Sequence, residues 1–324
     1  MAARKEGRLD ADWEEMAAMR LPGGLAALPM QQHGLYGAAC RSLGAGVRRF
    51  VMRRDGQVEG AAQVLVRRWP LLGTAALLSR GPVWAGSVPE ARRVAGLRGL
   101  LERLRREHRC VVVTPEPGAG GVDPMAGSGW LPAVSACSLA RLSLEGGPEA
   151  LRGRMHGKWR NRLVRAEAAG LVVAAGPMPA DPDHWLLRRE AAQARTRGYR
   201  ALPASFTAAW VAAGGPGSAR LFTASMEGTP VAAMLFLLHP PGASYHVGWS
   251  GPEGRAVGAH NLLLWEGMLW LAGQGVRGLD LDLLDSHAAP GLVRFKLGSV
   301  AVCEPLAPTR LHAPGSRLFA GRAA

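Results

Sequence analysis

Lysine is nearly missing from this chain: among 324 residues only Lys5, Lys158 and Lys296 carry an ammonium group. Lys and Arg together still number 39 against 25 Asp and Glu, so the formal charge of +14 is almost wholly arginine. Such a charge invites an anionic partner, with tRNA, coenzyme A, a nucleotide sugar or a membrane surface as candidates. In a chain this rich in Ala and Gly, part of that arginine is solvated surface. A lysine kept where arginine is the rule marks a position suited to a compact charge. Cysteine is scarce too. Cys40, Cys110, Cys137 and Cys303 lie far apart with no C-x-x-C pair, which excludes a zinc ribbon and a disulfide framework and fits reduced thiols in a cytoplasmic protein. Aromatic residues are only 6%, too few to favour a non-catalytic nucleic-acid-binding surface built on base stacking. No run approaches the roughly 20 apolar residues of a membrane helix; the best, Val231 to Leu238, stops before Pro240-Pro241. The charged start, residues 1–16, has no apolar stretch of a signal peptide. G-x-S-x-G, H-E-x-x-H and P-loop signatures are all lacking, which removes support for serine hydrolases, zinc proteases and nucleotide hydrolases.

What is present is a pattern that occurs twice. Residues 47–54 read as a strand, Asp55-Gly56 as a hairpin turn, and residues 58–66 and 75–78 as two more strands. A helix over 89–106, with Ser87 as a possible cap, and a strand over 110–114 follow. In the second half, 220–226 is a strand, Glu227-Gly228 a turn, and 231–238 and 244–249 strands. The helix over 259–272 and the strand over 276–281 complete the copy. Duplicated α/β (α+β) units explain the repeat, with an antiparallel meander, a helix and a strand in each, the order of the GNAT fold. Between the halves lie a Gly/Pro loop (115–129), a strand (138–144), a basic helix (149–170) and helices over 183–197 and 205–213. The chain is expected to divide into residues 1–146 and 147–324.

Three segments carry chemistry. Lys158, Arg162 and Arg165 share one helix face, with Trp159, Arg160 and Asn161 among them; the face suits phosphates, and a solvated basic helix is the plain alternative. At the start of the second long helix, Arg255-Ala-Val-Gly258-Ala-His260-Asn261 partly matches the Q/R-x-x-G-x-G/A loop, whose free N–H groups hold phosphate in coenzyme A enzymes. The sixth position fails. Asp280 and Asp282 alternate on one strand, ahead of Pro290-Gly-Leu-Val-Arg-Phe295-Lys296-Leu-Gly298. A carboxylate there is either catalytic or paired to a nearby arginine.

The series K-W-R-N-R-L, A-H-N-L-L-L-W-E, G-V-R-x-L-D-L and A-P-G-L-x-R-F-K-L-G resembles the FemAB-type and related GNAT acyltransferases. Leu28-Pro-Met-Gln31-Gln32-His-Gly-Leu-Tyr36 is similar to that family's early Q-S-x-x-W/Y motif. The resemblance covers about residues 25 to 305. It implies two tandem GNAT-like domains and transfer of an acyl or aminoacyl group to a primary amine, with a peptidoglycan precursor as acceptor. The donor is acyl-CoA or aminoacyl-tRNA, and no metal is expected. Carried over residue by residue, Phe295, Lys296 and Asp280 join His246 as catalytic candidates. Arg255, Gly258, His260 and Asn261 are donor-binding candidates, and Lys158, Arg160, Asn161, Gln32 and Tyr36 substrate-binding ones. His246 is either a proton acceptor or a buried structural histidine. Lys296 is expected at the rim of the site, just before a final strand. Asp282 stands where relatives carry Gly, and the coiled-coil arm of some members is missing. The rival readings are a coenzyme A-dependent acetyltransferase of small molecules, a degenerate scaffold that binds without turnover, and an RNA-binding protein.

Overall fold

The computed structural model describes residues 13–25, 28–70 and 73–316; Lys5 and the first twelve residues lie outside them. In the first half, the described strands and helices are β1 (Trp13–Met16), α1 (Gly34–Ser42), β2 (Gly46–Arg54), β3 (Gln57–Trp69), β4 (Gly73–Ser79), β5 (Val83–Trp84), α2 (Glu90–Glu107), β6 (Cys110–Thr114) and β7 (Leu131–Val134). The second half begins with β8 (Cys137–Ser143), α3 (Gly147–Arg154), α4 (Gly157–Glu167), β9 (Val172–Pro177), α5 (Trp185–Arg197), α6 (Ala204–Gly214), β10 (Ala219–Met226) and β11 (Thr229–His239). It continues through β12 (Gly242–Ser250), α7 (Pro252–Val257), α8 (Ala259–Gly273), β13 (Gly278–Leu283), α9 (Pro290–Gly298) and β14 (Val302–Leu306), before β15 (Thr309–His312).

The strands form two sheets, ordered β1-β2-β3-β4-β6-β15-β7 and β14-β8-β13-β12-β11-β10-β9, with β5 added beside β3. Sheet membership therefore changes between Val134 and Cys137, upstream of residue 146, and β15 returns to the first sheet. Each half carries the expected meander. The β2–β3 turn places Asp55 and Gly56 at φ 50° and 80°, and the β10–β11 turn places Glu227 and Gly228 at 50° and 76°. Two successive residues at positive φ give the turn whose twist suits a hairpin, which explains a glycine second in both. A parallel pair with a helical connection follows in each half, β4 to β6 through α2 and β12 to β13 through the short α7 and then α8. The chain is thus two tandem GNAT-like domains.

Packing follows from spacing. On α2, Leu97, Leu100, Leu101 and Leu104 recur at helical intervals and are all buried against Phe50, Met52 and Val64; each contributes about 1.5–3 kcal/mol by leaving water. Helix α8 is apolar nearly all round because the sheet lies on one side and α4 on the other. The halves share a core as well, since α1 packs on α6 and Met30 and Ala39 join a cluster with Trp210 and Phe206.

The single basic helix expected over 149–170 is two helices, broken at Met155, whose ψ of 143° is extended. Helix α2 is capped by Pro89 rather than Ser87, with no side-chain cap bond.

Candidate functional site

The parallel pair of the second half comes apart. Strands β12 and β13 pair at Gly242–Gly278, Ala243–Leu279 and Ser244–Asp280, and no further. In the first half β4 and β6 stay paired over five positions, from Ala75–Cys110 to Ser79–Thr114, and the Arg80 N–H continues onto the Thr114 carbonyl at 2.7 Å. Among the described residues, the second half alone has an open wedge between its parallel strands.

The wedge has a local cause on each side. On β12 the register to β11 slips between Val247 and Tyr245, leaving His246 as an extra, unpaired residue, a β-bulge. On β13 the chain turns away at Asp282, which sits at φ 68° with its N–H bonded to Asp280 Oδ1 at 2.8 Å. An aspartate tolerates that left-handed backbone because its own neighbour's carboxylate closes the turn. A bulge beside splayed strands leaves backbone N–H groups outside the ladder, able to stabilise an oxyanion.

Lys296 reaches this open end. It lies inside helix α9 rather than just before a strand, and it is 3% exposed rather than at a rim. Its Nζ donates to the Leu283 carbonyl at 2.8 Å. Burial pushes its pKa down, opposed by the nearby Asp282 and Asp280 carboxylates. Phe295 stacks between Trp159 and His260, each ring centroid 6.1 Å away. Gly298 is required here, since a Cβ would come within 2.8 Å of the Trp159 ring.

Facing the bulge from the other side, α5 and α6 form a cavity of about 380 Å3, lined by Glu190, Tyr199, Arg200, Thr207, Val247 and apolar side chains. Tyr199 donates to Glu190 Oε1 at 2.7 Å, and Gln193 Nε2 donates to Oε2 at 3.1 Å. Burial nonetheless raises the Glu190 pKa, against those two bonds and Arg197. His246 meets Thr207 Oγ1 through Nε2 at 2.7 Å, and burial holds its pKa down at about 4, so the ring is neutral. The Tyr245 phenol is also pushed up by burial. Glu190, Gln193, Tyr199 and Thr207 escaped the sequence reading because helical spacing alone does not show which face of α5 meets β12.

The other expected residues scatter. Asp280 accepts from Arg80 Nη1 at 2.6 Å across the two sheets, and Arg141 Nε stands 3.8 Å away. Arg80 and Arg141 in turn hold Glu116, and Arg141 holds Glu304. Asp280 is thus an ion-paired strand acid. Arg255 spends its guanidinium on the Ser250 carbonyl, and His260 Nε2 meets the Trp249 carbonyl at 2.9 Å. Gly258, at φ 75°, faces α4: a Cβ there would stand 3.4 Å from the Arg162 carbonyl. Ala259 is fully buried and Asn261 5% exposed, so the start of α8 is covered by protein. Lys158, Asn161, Arg162 and Arg165 are exposed on α4, with Arg160 half-buried. Gln32 is fully buried and far from the wedge in role. Its amide bonds the Gln63 and Ser79 carbonyls at 3.2 and 2.7 Å and accepts from the Gln63 N–H at 2.7 Å, filling the gap where β3 leaves β4. Tyr36 packs on Phe206 at 5.5 Å, in the core shared by the halves. Among the described residues no group of three or more His, Cys, Asp and Glu could hold a metal ion, and no helix is long and apolar enough to cross a membrane.

Comparison with known proteins agrees with this architecture. A family model described as Acetyltransferase (GNAT) domain matches residues 153–289, the segment that contains the wedge. No curated protein matches the chain. Among solved structures, FemX is similar at a TM-score of 0.72 and 14% identity, over 90% of this chain and 94% of that one. The C-terminal domain of a putative lysylphosphatidylglycerol synthetase from Agrobacterium fabrum follows at 0.53 and 15%, over 90% and 91%. A tandem GNAT protein from the clavulanic acid biosynthesis pathway gives 0.51 and 15%, over 94% and 99%. At these identities the likeness is one of fold, and it supports the tandem GNAT arrangement.

Proposed function

We propose that this protein is an N-acyltransferase whose second half moves an acyl group from an activated donor to a primary amine. The observation that carries the reading is the open wedge between β12 and β13, bulged at His246 and flanked by Glu190 on one side and Lys296 on the other. An amine must be neutral to attack, and Glu190, with its raised pKa, accepts that proton directly or through one water. Unpaired N–H groups at the bulge, with the Lys296 ammonium, steady the oxygen of the tetrahedral intermediate. Phe295 holds Lys296 by packing between Trp159 and His260. His246 is a structural neighbour of Thr207 in this reading, and Asp280 an anchor between the halves.

The match to the GNAT acetyltransferase domain favours acyl-CoA as donor. The test is turnover of acetyl-CoA with a panel of primary amines, read by release of the free thiol; no turnover above a Glu190→Gln, Lys296→Met double variant would reject it. A second reading is favoured by the start of α8, which α4 covers where coenzyme A enzymes hold pyrophosphate, and by the exposed cations of α4. There the donor is an aminoacyl-tRNA and the acceptor a peptidoglycan-precursor amine, as the FemAB-type sequence resemblance implies. An aminoacylated RNA minihelix offered in place of acetyl-CoA separates the two.

A further inference from the structure

The cavity between α5 and α6 carries one acid and one base on a wall that is otherwise largely apolar: Glu190 and Arg200 are the charged side chains that line it. The two do not satisfy each other, for no ion pair joins them among the described residues. Tyr199 and Gln193 each donate one bond to Glu190. An ionised carboxylate accepts about four, so Glu190 keeps capacity for an ammonium group. Arg200 is exposed and makes no hydrogen bond or ion pair. Gly198, at φ 70°, ends α5 in the left-handed conformation, which turns the chain and sets Arg200 on the loop that closes the cavity towards α6. The same wall includes Leu187 and Val247, together with Leu202, which is left 44% exposed. An occupant that meets all three features carries an ammonium, an anion and an aliphatic body.

We propose that the acceptor in this cavity is a free amino acid with an aliphatic side chain, its amine at Glu190 and its carboxylate at Arg200. A guanidinium matches the two oxygens of a carboxylate with two parallel bonds, and such charge-assisted bonds are roughly twice as strong as neutral ones. The side chain lies on Leu187, Leu202 and Val247. The volume equals about a dozen waters at their liquid share, room for a molecule of leucine's size. The role as acceptor rests on the transfer reading above. In that reaction the ammonium gives one proton to Glu190, and the neutral nitrogen bonds the acyl carbon. The bond from that carbon to the donor's leaving atom breaks, and the leaving atom takes the electron pair and the second amine proton.

Titration of the purified full chain with L-leucine, with no donor present, tests the site by itself. L-leucinol keeps the amine and the side chain but lacks the carboxylate, and 4-methylpentanoate lacks the amine. Leucine should saturate and bind at least about fivefold tighter than either, the scale of one charge-assisted contact at an exposed position. Arg200 has no partner to lose, so Arg200→Ala should keep the wild-type melting temperature. It should bring leucine down to the affinity of leucinol and leave leucinol itself unchanged, and Arg200→Lys should retain part of the difference. Leucine that does not saturate, binds no tighter than leucinol, or is unaffected by Arg200→Ala overturns the proposal. Acetyl transfer to leucinol as fast as to leucine would overturn it too, while upholding the transfer reading. Leucine that binds through Arg200 but accepts no acyl group from acetyl-CoA or from an aminoacylated RNA would uphold the site and remove the transfer reading.

Discussion

Lys296 Nζ donates to the Leu283 carbonyl at 2.8 Å, tying helix α9 to the open end of β13. If the ammonium also steadies the reacting oxygen, Lys296→Met should lower kcat by ~100-fold, the scale of one lost electrostatic stabiliser. Lys296→Arg should recover part of that, since a planar guanidinium does not fit a site shaped for a point charge. Burial means that stability moves as well. The freed Leu283 carbonyl costs about 1–3 kcal/mol, and removal of a desolvated charge offsets some of it. Activity per folded molecule is the deciding measurement, and an unchanged value would make Lys296 structural.

Glu190 supplies a pH signature. Burial raises its pKa, so the acid limb of kcat/KM should lie above the ordinary carboxylate range. Tyr199→Phe removes a bond that lowers that pKa and should push the limb higher still. Glu190→Gln should cut kcat/KM by ~100-fold and erase the limb. A profile that keeps the limb in Glu190→Gln would name another base.

Arg80 and Asp280 should behave as one unit in stability. Removing either partner takes one ion pair out of a buried cluster that Glu116 and Arg141 share, at up to about 3–5 kcal/mol. Arg80→Met with Asp280→Asn should cost less than the sum of the single changes, by about 1 kcal/mol or more. Chemical denaturation of the four proteins completes the cycle, and additivity would mean that Glu116 and Arg141 compensate.

Three histidines predict acid sensitivity. Burial depresses His33 and His246 to about 4 and His239 to about 3. The native state therefore stays neutral where the unfolded chain takes up protons. Stability should be full above pH ~6.5 and fall as the pH drops towards ~4, by up to about 1.4 kcal/mol per pH unit for each histidine. Unfolding free energies at pH 7, 6 and 5 measure the slope. A flat response across that range would mean that the rings take up protons as readily in the fold as in the unfolded chain.

The repeated meander was legible because both hairpins announce themselves through a turn glycine and flanking β-branched or apolar strands, from Val47 to Val66 and from Arg220 to Leu238. Helix α8 was legible for its long apolar run. The site was read only in part. Lys296 stood out through the scarcity of lysine, yet its helix was missed because Pro290-Gly291 reads as a turn before a strand rather than as a helix start. Gln32 and Tyr36 were expected to bind substrate; Gln32 bridges strands β3 and β4, and Tyr36 packs on Phe206. The Gln32 amide substitutes for a strand rung that no linear pattern shows. Glu190 lay hidden for a related reason: its partner Tyr199 is beyond the end of α5, and the surface they share exists only once α5 folds onto β12.

The place of β15 bears on how the molecule comes to be made. It lies between β6 and β7, so the first sheet receives its last described rung from residues that leave the ribosome after all of the second sheet. Synthesis can complete the later unit before the earlier one, which must wait with an unzipped seam between Val113 and Leu131 until Arg310 and Leu311 arrive. The two domains are nested in assembly order, and a chain released near residue 307 would leave the amino-terminal half as the unfinished partner.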